Sequence, residues 1–289
     1  MAHAPASGKY YVPHGSWWPI VGSIGLFTLM LGSANALNGA GWAWPAFIGL
    51  AIVLVMFFGW FADVIRESVA GYYNAQVDRS FRQGMIWFIF SEVMFFAAFF
   101  GALFYARTLS IPWLGGEGVG FFTNLLLWEG FEPAWPTDGP GAVGGDYKPI
   151  GPWGLPAINT AILLTSGVTI TIAHHALRDS KRGTLITFLG LTWLLGFIFV
   201  GLQAYEYVVL YQDYNLRLDT GIYGSTFFML TGFHGFHVTL GAIMLLVVWL
   251  RCVKGHFTPK QHFAFEATAW YWHFVDVVWL GLYVFVYWL

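Results

Sequence analysis

Charged residues are scarce in this sequence, and cysteine is almost missing. Only 10% of the 289 residues are Asp, Glu, Lys or Arg, whereas about 25% is usual in soluble domains. The net charge of −2 gives no sign of nucleic-acid binding. The single cysteine, Cys252, excludes an internal disulfide and a cluster of thiolate metal ligands. The remaining composition, 57% hydrophobic and 20% aromatic, indicates an integral membrane protein.

Seven apolar stretches are long enough to cross a bilayer as helices, which predicts an all-α, polytopic membrane protein. The predicted spans are 19–38, 44–62, 84–106, 156–177, 185–211, 223–250 and 262–288. The chain is expected to divide into a cytoplasmic N-terminal segment, two helices, a cytoplasmic connection and five further helices that include a long outer loop. These parts are residues 1–18, 19–62, 63–83 and 84–289, with the outer loop at 108–155.

The distribution of positive charge predicts the orientation of the seven helices. With a cytoplasmic N-terminus, ten of the 13 Lys and Arg residues lie on the inner side and three, Arg107, Lys148 and Arg217, on the outer side. Because cytoplasmic loops carry the excess of Lys and Arg, the N-terminus is expected inside and the C-terminus outside. The outer loop is rich in Gly, Pro and Trp. It is either a solvated loop or a cap that its aromatic residues hold on the outer surface.

One acidic residue lies within the third apolar run. Residues 83–106 contain a single charged side chain, Glu92, ten residues past Arg82 and so about 15 Å into the membrane. A carboxyl group at this depth is costly, because no water is available to solvate it. Glu92 is therefore either a reactive, proton-active or lipid-contacting acid, or a protonated acid bonded to a neighbouring helix.

Other ionisable residues in the apolar stretches allow several interpretations. His234 and His237 share a helix face, and so do His273 and Asp276. Imidazole pairs are ligands of haem and metals in membrane redox proteins, but two ligands on one face do not complete a site, and hydrogen bonds within the bundle are the simpler interpretation. Glu92, Glu206 and Asp276 could instead belong to a proton or cation path. The sequence does not show that these acids converge.

Small and polar residues indicate the buried helix faces, and basic residues indicate the inner membrane surface. Asn159, Ser166 and Ala173 recur at seven-residue intervals, and Gly232, Gly235 and Gly241 are grouped in the sixth span. Such residues permit close helix packing and hydrogen bonds between helices. Basic residues near the inner surface suit lipid phosphates or ordinary membrane anchoring.

Eight short motifs resemble subunit III of the haem–copper cytochrome c oxidases, in the family's order. The run AWYWHFVDVVW at 269–279 is the most specific of them. The resemblance covers nearly the whole chain. The motifs are residues 63–68, 91–96, 173–175, 203–207, 223–228, 231–238, 265–267 and 269–280.

The resemblance implies a fold and a set of partners. The family's fold is a helix pair and a five-helix bundle, separated by a V-shaped cleft filled with phospholipid. The implied role is that of a non-catalytic subunit of a proton-pumping oxidase that passes electrons from cytochrome c to oxygen. Such a subunit packs on catalytic subunit I beside subunit II, supports proton uptake and protects the enzyme during turnover. It contacts cytochrome c only indirectly, and haem and copper are expected only in the partner subunits.

The resemblance also implies roles for individual residues. Glu92 matches the family's intramembrane acid near the lipid cleft, and Glu67, Arg251 and Lys254 match positions that hold lipid headgroups. His234, His237, His273, Asp276 and Glu206 are then buried structural residues, and neither a catalytic nor a metal-binding residue is expected.

Some features depart from the family's pattern. Trp60, Phe61 and Ala62 replace its usual residues before the motif at 63–68, Tyr72 and Tyr73 stand where histidines are common, and the outer loop is longer. These departures, together with the excess of Lys and Arg on the inner side, are typical of a bacterial inner membrane protein. The alternatives are a quinol-oxidising relative and a self-sufficient membrane transporter.

Overall fold

The computed structural model describes residues 11, 15–39 and 41–288 of the chain. Most of the predicted N-terminal segment, 1–18, lies outside these residues. Within the described residues every regular element is helical, and seven helices are long and apolar enough to cross a membrane, which confirms the predicted fold class. They are α1 Trp18–Leu37, α2 Trp44–Val69, α3 Ala75–Tyr105, α4 Leu155–Arg178, α5 Arg182–Asp213, α6 Gly221–Val253 and α7 Phe263–Leu282.

Two helices extend well beyond their predicted ends. The helix α2 runs to Val69, and α3 begins at Ala75, so only five residues separate them. The prediction of a loop at 63–83 is therefore wrong over most of that length, because residues 63–69 and 75–83 are helical. Its charged side chains end the hydropathy signal but not the helix, since Arg and Glu are good helix formers. At its other end α3 continues through a π-helical turn, Ala106–Ser110, and the short helix Ile111–Leu114.

The chain divides into two compact units, Met1–Phe81 and Arg82–Leu289. In the first unit α1 packs along α2, with glycines at the points of closest approach. A Cβ atom at Gly32 or Gly49 would collide with the backbone of the other helix. Near the other end of this pair the indole nitrogen of Trp18 donates a hydrogen bond of 2.8 Å to Asp63. The pair is thus held by backbone proximity and by one polar contact.

In the second unit four helices surround a common core. The helix α5 lies between α4 and α6, and α7 packs on both α4 and α6. Trp272 of α7 is fully buried in this core, and its indole nitrogen donates to Ser166 of α4 at 2.9 Å. Asn159, Ser166 and Ala173 are all fully buried, which confirms the face predicted for α4. The predicted lipid-filled cleft stays a prediction.

The segment after α3 is attached to the second unit where α5 ends and α6 begins. The backbone N–H of Lys148 donates to Tyr214, and that of Tyr223 donates to Thr137. Tyr147 stacks on Tyr223 with ring centroids 5.8 Å apart. Burial, and then the charge of Asp138, raises the pKa of Tyr147 to about 12. These contacts favour the aromatic cap over the solvated loop.

Candidate functional site

Glu92 of α3 contacts His237 of α6, a residue 145 positions away in the sequence. The carboxyl oxygen Oε2 lies 2.9 Å from the imidazole Nε2. The other ring nitrogen, Nδ1, lies 2.6 Å from the carbonyl oxygen of Phe233. Because a carbonyl only accepts, Nδ1 carries a proton, and a neutral His237 then offers Nε2 as an acceptor. In the neutral pair the proton between the two residues belongs to Glu92.

Aromatic rings surround this pair. Phe96 is almost fully buried, and its ring meets the imidazole edge to face at a centroid distance of 5.1 Å. Tyr271 of α7 stacks near the imidazole, and its hydroxyl donates to the backbone carbonyl of His237 at 3.3 Å. The Glu92 side chain keeps 21% of its surface exposed. The pair therefore joins α3 to α6 at the edge of the helix bundle, in surroundings where a hydrogen bond is strong.

His234, one turn before His237, is bound to a different helix. It is fully buried, and its Nε2 donates to the carbonyl of Val275 in α7 at 3.2 Å. Its ring lies 5.1 Å from that of Trp279. The two histidines share a helix face, as predicted, but their Nε2 atoms point to different partners. This arrangement suits bonds between helices better than a shared ligand.

Glu206 is fully buried in α5 and bonds to the C-terminal end of the chain. The Tyr287 hydroxyl donates to its Oε1 at 2.7 Å, and the Gln203 amide lies 3.5 Å from the same oxygen. Asn159 of α4 donates to Gln203 at 3.5 Å. This polar chain links three elements. The sequence indicated Glu206 but not Tyr287, because nothing in the sequence gives the distance between them.

His273 and Asp276 lie one turn apart on α7 but differ in burial. Asp276 is buried against Gly167 of α4, whereas the side chain of His273 is 46% exposed. The prediction that His273 is buried is wrong for this chain by itself: its Nε2 lies 3.4 Å from the Thr171 hydroxyl of α4, but nearly half of the side chain remains at the surface. The two side chains approach to 3.6 Å, too far for a good hydrogen bond.

The predicted headgroup residues lie in both compact units. In the first unit, Glu67 accepts a hydrogen bond of 2.8 Å from the Tyr73 hydroxyl. In the second unit, the Arg251 guanidinium is buried over the ring of Phe257 at 4.4 Å, and Lys254 is exposed. Burial, and then the positive charges of Arg251 and Lys254, lower the pKa of nearby His256. The end of α6 is thus electropositive, which suits an anion.

Comparison with known proteins identifies the family. The family model described as cytochrome c oxidase subunit III matches residues 8–119 and 119–289. The chain is 40% identical to cytochrome c oxidase subunit 3 of Carassius auratus, and the alignment covers 100% of this chain and 99% of the relative. It is 41% identical to that of Coturnix japonica with the same coverage, and 44% identical to that of Gallus gallus over 83% of this chain and 82% of the relative.

These matches confirm the resemblance of the sequence motifs. The chain belongs to the cytochrome c oxidase subunit III family and is a multi-pass membrane subunit of the respiratory oxidase.

Proposed function

We propose that this chain is a subunit without a redox centre that stabilises catalytic subunit I, supports proton uptake there and holds structural phospholipid. In this proposal subunit II is the second neighbour, cytochrome c binds elsewhere in the complex, and haem and copper belong to the partners. The complex lies in a bacterial inner membrane, with the N-terminus of this chain in the cytoplasm.

The observation that carries this proposal is the set of hydrogen bonds made by two acids in the membrane-spanning helices. Glu92 bonds to His237 of another helix, and Glu206 bonds to Tyr287 at the end of the chain. Each contact joins two elements of the second unit, so the acids serve its packing. A self-sufficient transporter needs its acids along one continuous path, and these two have separate partners.

The stabilising role is tested by removing the chain. The oxidase is purified with this subunit and after its selective removal, and oxygen consumption is followed during sustained turnover. We expect both preparations to start at similar rates and only the depleted one to decay, with activity retained when the subunit is added back. A depleted enzyme with a stable rate would contradict the protective role.

Lipid retention at the end of α6 is tested with one variant and a matched control. Arg251→Ala removes a buried cation, whereas Lys260→Ala removes an exposed cation from the following loop. Native mass spectrometry of the purified complex should show less bound phospholipid for Arg251→Ala and an unchanged amount for Lys260→Ala. Equal lipid retention in both variants would contradict headgroup binding by Arg251.

A further inference from the structure

Three potential metal ligands meet at one end of the second unit. They are His174 near the end of α4, His262 just before α7, and Glu266 in the first turn of α7. One ligand atom from each residue lies within 4.8 Å of the other two. Glu266 Oε1 is 3.2 Å from His262 Nε2 and 3.6 Å from His174 Nε2.

We propose that His174, His262 and Glu266 form a binding site for a divalent transition-metal cation, with Zn²⁺ as the representative ion. This departs from the expectation that the chain holds no metal.

The unpaired nitrogen atoms are the first argument for this site. The Nε2 atoms of His174 and His262 are both buried and have no hydrogen-bond partner. His262 Nδ1 lies 3.1 Å from the carbonyl oxygen of Thr258 and so donates its proton there. In the neutral tautomer Nε2 therefore presents a lone pair to a carboxylate oxygen, which is repulsive unless a cation lies between them. A hydrogen bond from the other ring nitrogen to a backbone carbonyl is also the usual support of a metal-binding histidine.

The donor set and the spacing are the second argument. Two imidazoles and one carboxylate suit zinc, and ligands around a tetrahedral zinc ion lie about 3.3 Å apart for bonds of about 2.0–2.1 Å. Both distances from Glu266 Oε1 to the histidine nitrogens are close to this value. Modest side-chain rotation would bring the two nitrogens together. The set leaves a fourth position open for water or another ligand.

Arg82 of α3 orients the carboxylate. Its guanidinium pairs with Oε2 of Glu266, so Oε1 is the oxygen that faces the two histidines. The positive charge of Arg82 opposes a second cation and weakens its binding. The side chains of His174 and Glu266 are 28% and 16% exposed, so an ion has access. The alternative occupant is a proton on one histidine, which would form an ion pair with Glu266.

Zinc counting on the purified oxidase distinguishes the metal from the proton. The complex is stripped with a chelator and dialysed against buffered Zn²⁺, and bound zinc is measured per mole of protein. His262→Gln should bind one zinc fewer per chain than the wild type, or bind that zinc at least about tenfold more weakly. The control is His175→Gln, which changes the exposed neighbour of His174 and should bind as much zinc as the wild type. Mg²⁺ at the same concentration should not displace the ion.

A second measurement needs no variant. Crystals of the wild-type complex are soaked with Zn²⁺. Anomalous scattering recorded at the zinc absorption edge should then give a density peak between His174, His262 and Glu266. Equal zinc counts for the wild type and His262→Gln, or zinc elsewhere with no peak at this position, would overturn the proposal and assign a proton to the cluster. Neither measurement depends on turnover, so its result is separate from that of the subunit-removal experiment.

Discussion

At the scale of single residues, the position of the proton between Glu92 and His237 determines whether residue 92 must be a hydrogen-bond donor. His237 donates through Nδ1 to Phe233, so the neutral pair needs a donor at position 92. A protonated carboxyl group and a side-chain amide both provide one, whereas a carboxylate would require a charged imidazole. In apolar surroundings the neutral pair avoids the cost of separating two charges from water.

This reasoning predicts different results for two substitutions of Glu92. Glu92→Gln keeps a donor for His237 Nε2 and should change the stability of the chain by less than about 1 kcal/mol. Glu92→Leu leaves the buried imidazole without its partner and should destabilise the chain by about 1–3 kcal/mol. Thermal unfolding of the purified chain in mild detergent, followed by tryptophan fluorescence, measures the difference. If both variants lose the same stability, the pair depends on the charge of Glu92.

The depth of Glu92 could be predicted from the sequence, but its partner could not. Ten residues of helix after Arg82 place the carboxyl group well inside the membrane. The partner lies 145 residues away on another helix. Hydropathy assigns a depth to each helix, but it contains no information about which helices are neighbours. The pairings of Glu206 with Tyr287 and of His174 with His262 were missed for the same reason.

At the scale of the helices, Trp272 shows how α7 fits into its bundle. Its ring lies against Gly196 of α5 and Gly241 of α6 and donates to Ser166 of α4. A Cβ atom at Gly241 would lie 2.9 Å from the Trp272 ring, closer than packed atoms approach. The glycine is therefore needed because the indole occupies the space of a side chain. By contrast, nothing lies within 4 Å of a Cβ atom built at Gly235 of the same helix.

We therefore expect two substitutions in α6 to differ in their effect. Gly241→Ala should destabilise the chain by about 1–3 kcal/mol, because overpacking forces Trp272 and the helices apart. Gly235→Ala should be neutral or slightly stabilising, because alanine is the better helix former. The yield and melting temperature of the purified chain measure both effects. A larger loss for Gly235→Ala than for Gly241→Ala would contradict this account of the packing.

The sequence pattern predicted which residue types line helix contacts, but not which of them make contact. The interval of seven residues correctly identified the buried face of α4, because it follows from helix geometry alone. The glycines of α6 were grouped by type, and only the structure separates Gly241 from Gly235. The predicted end of α2 came too early, and the predicted start of α3 came too late. The apolar residues that identify a span stop at those positions, whereas the helical hydrogen bonds of the backbone continue beyond them.

At the scale of the whole molecule, the seven spans and the distribution of positive charge make the topology testable. The loop between α6 and α7 contains Lys260, and the segment between α3 and α4 contains Lys148. Both side chains are exposed, and three membrane spans separate the two positions along the chain. An odd number of crossings puts them on opposite sides of the membrane. From the excess of Lys and Arg on one side we predict that Lys260 faces the cytoplasm.

Labelling of single introduced cysteines checks this assignment. Lys260→Cys should react with a membrane-impermeant maleimide in inverted vesicles only, and Lys148→Cys in right-side-out vesicles only. The wild-type chain is the control, because its one cysteine, Cys252, is 3% exposed and should remain unlabelled in either preparation. The opposite pattern would reverse the orientation and place the His174, His262 and Glu266 cluster on the outer side. Labelling of both positions from the same side would contradict the three intervening spans themselves.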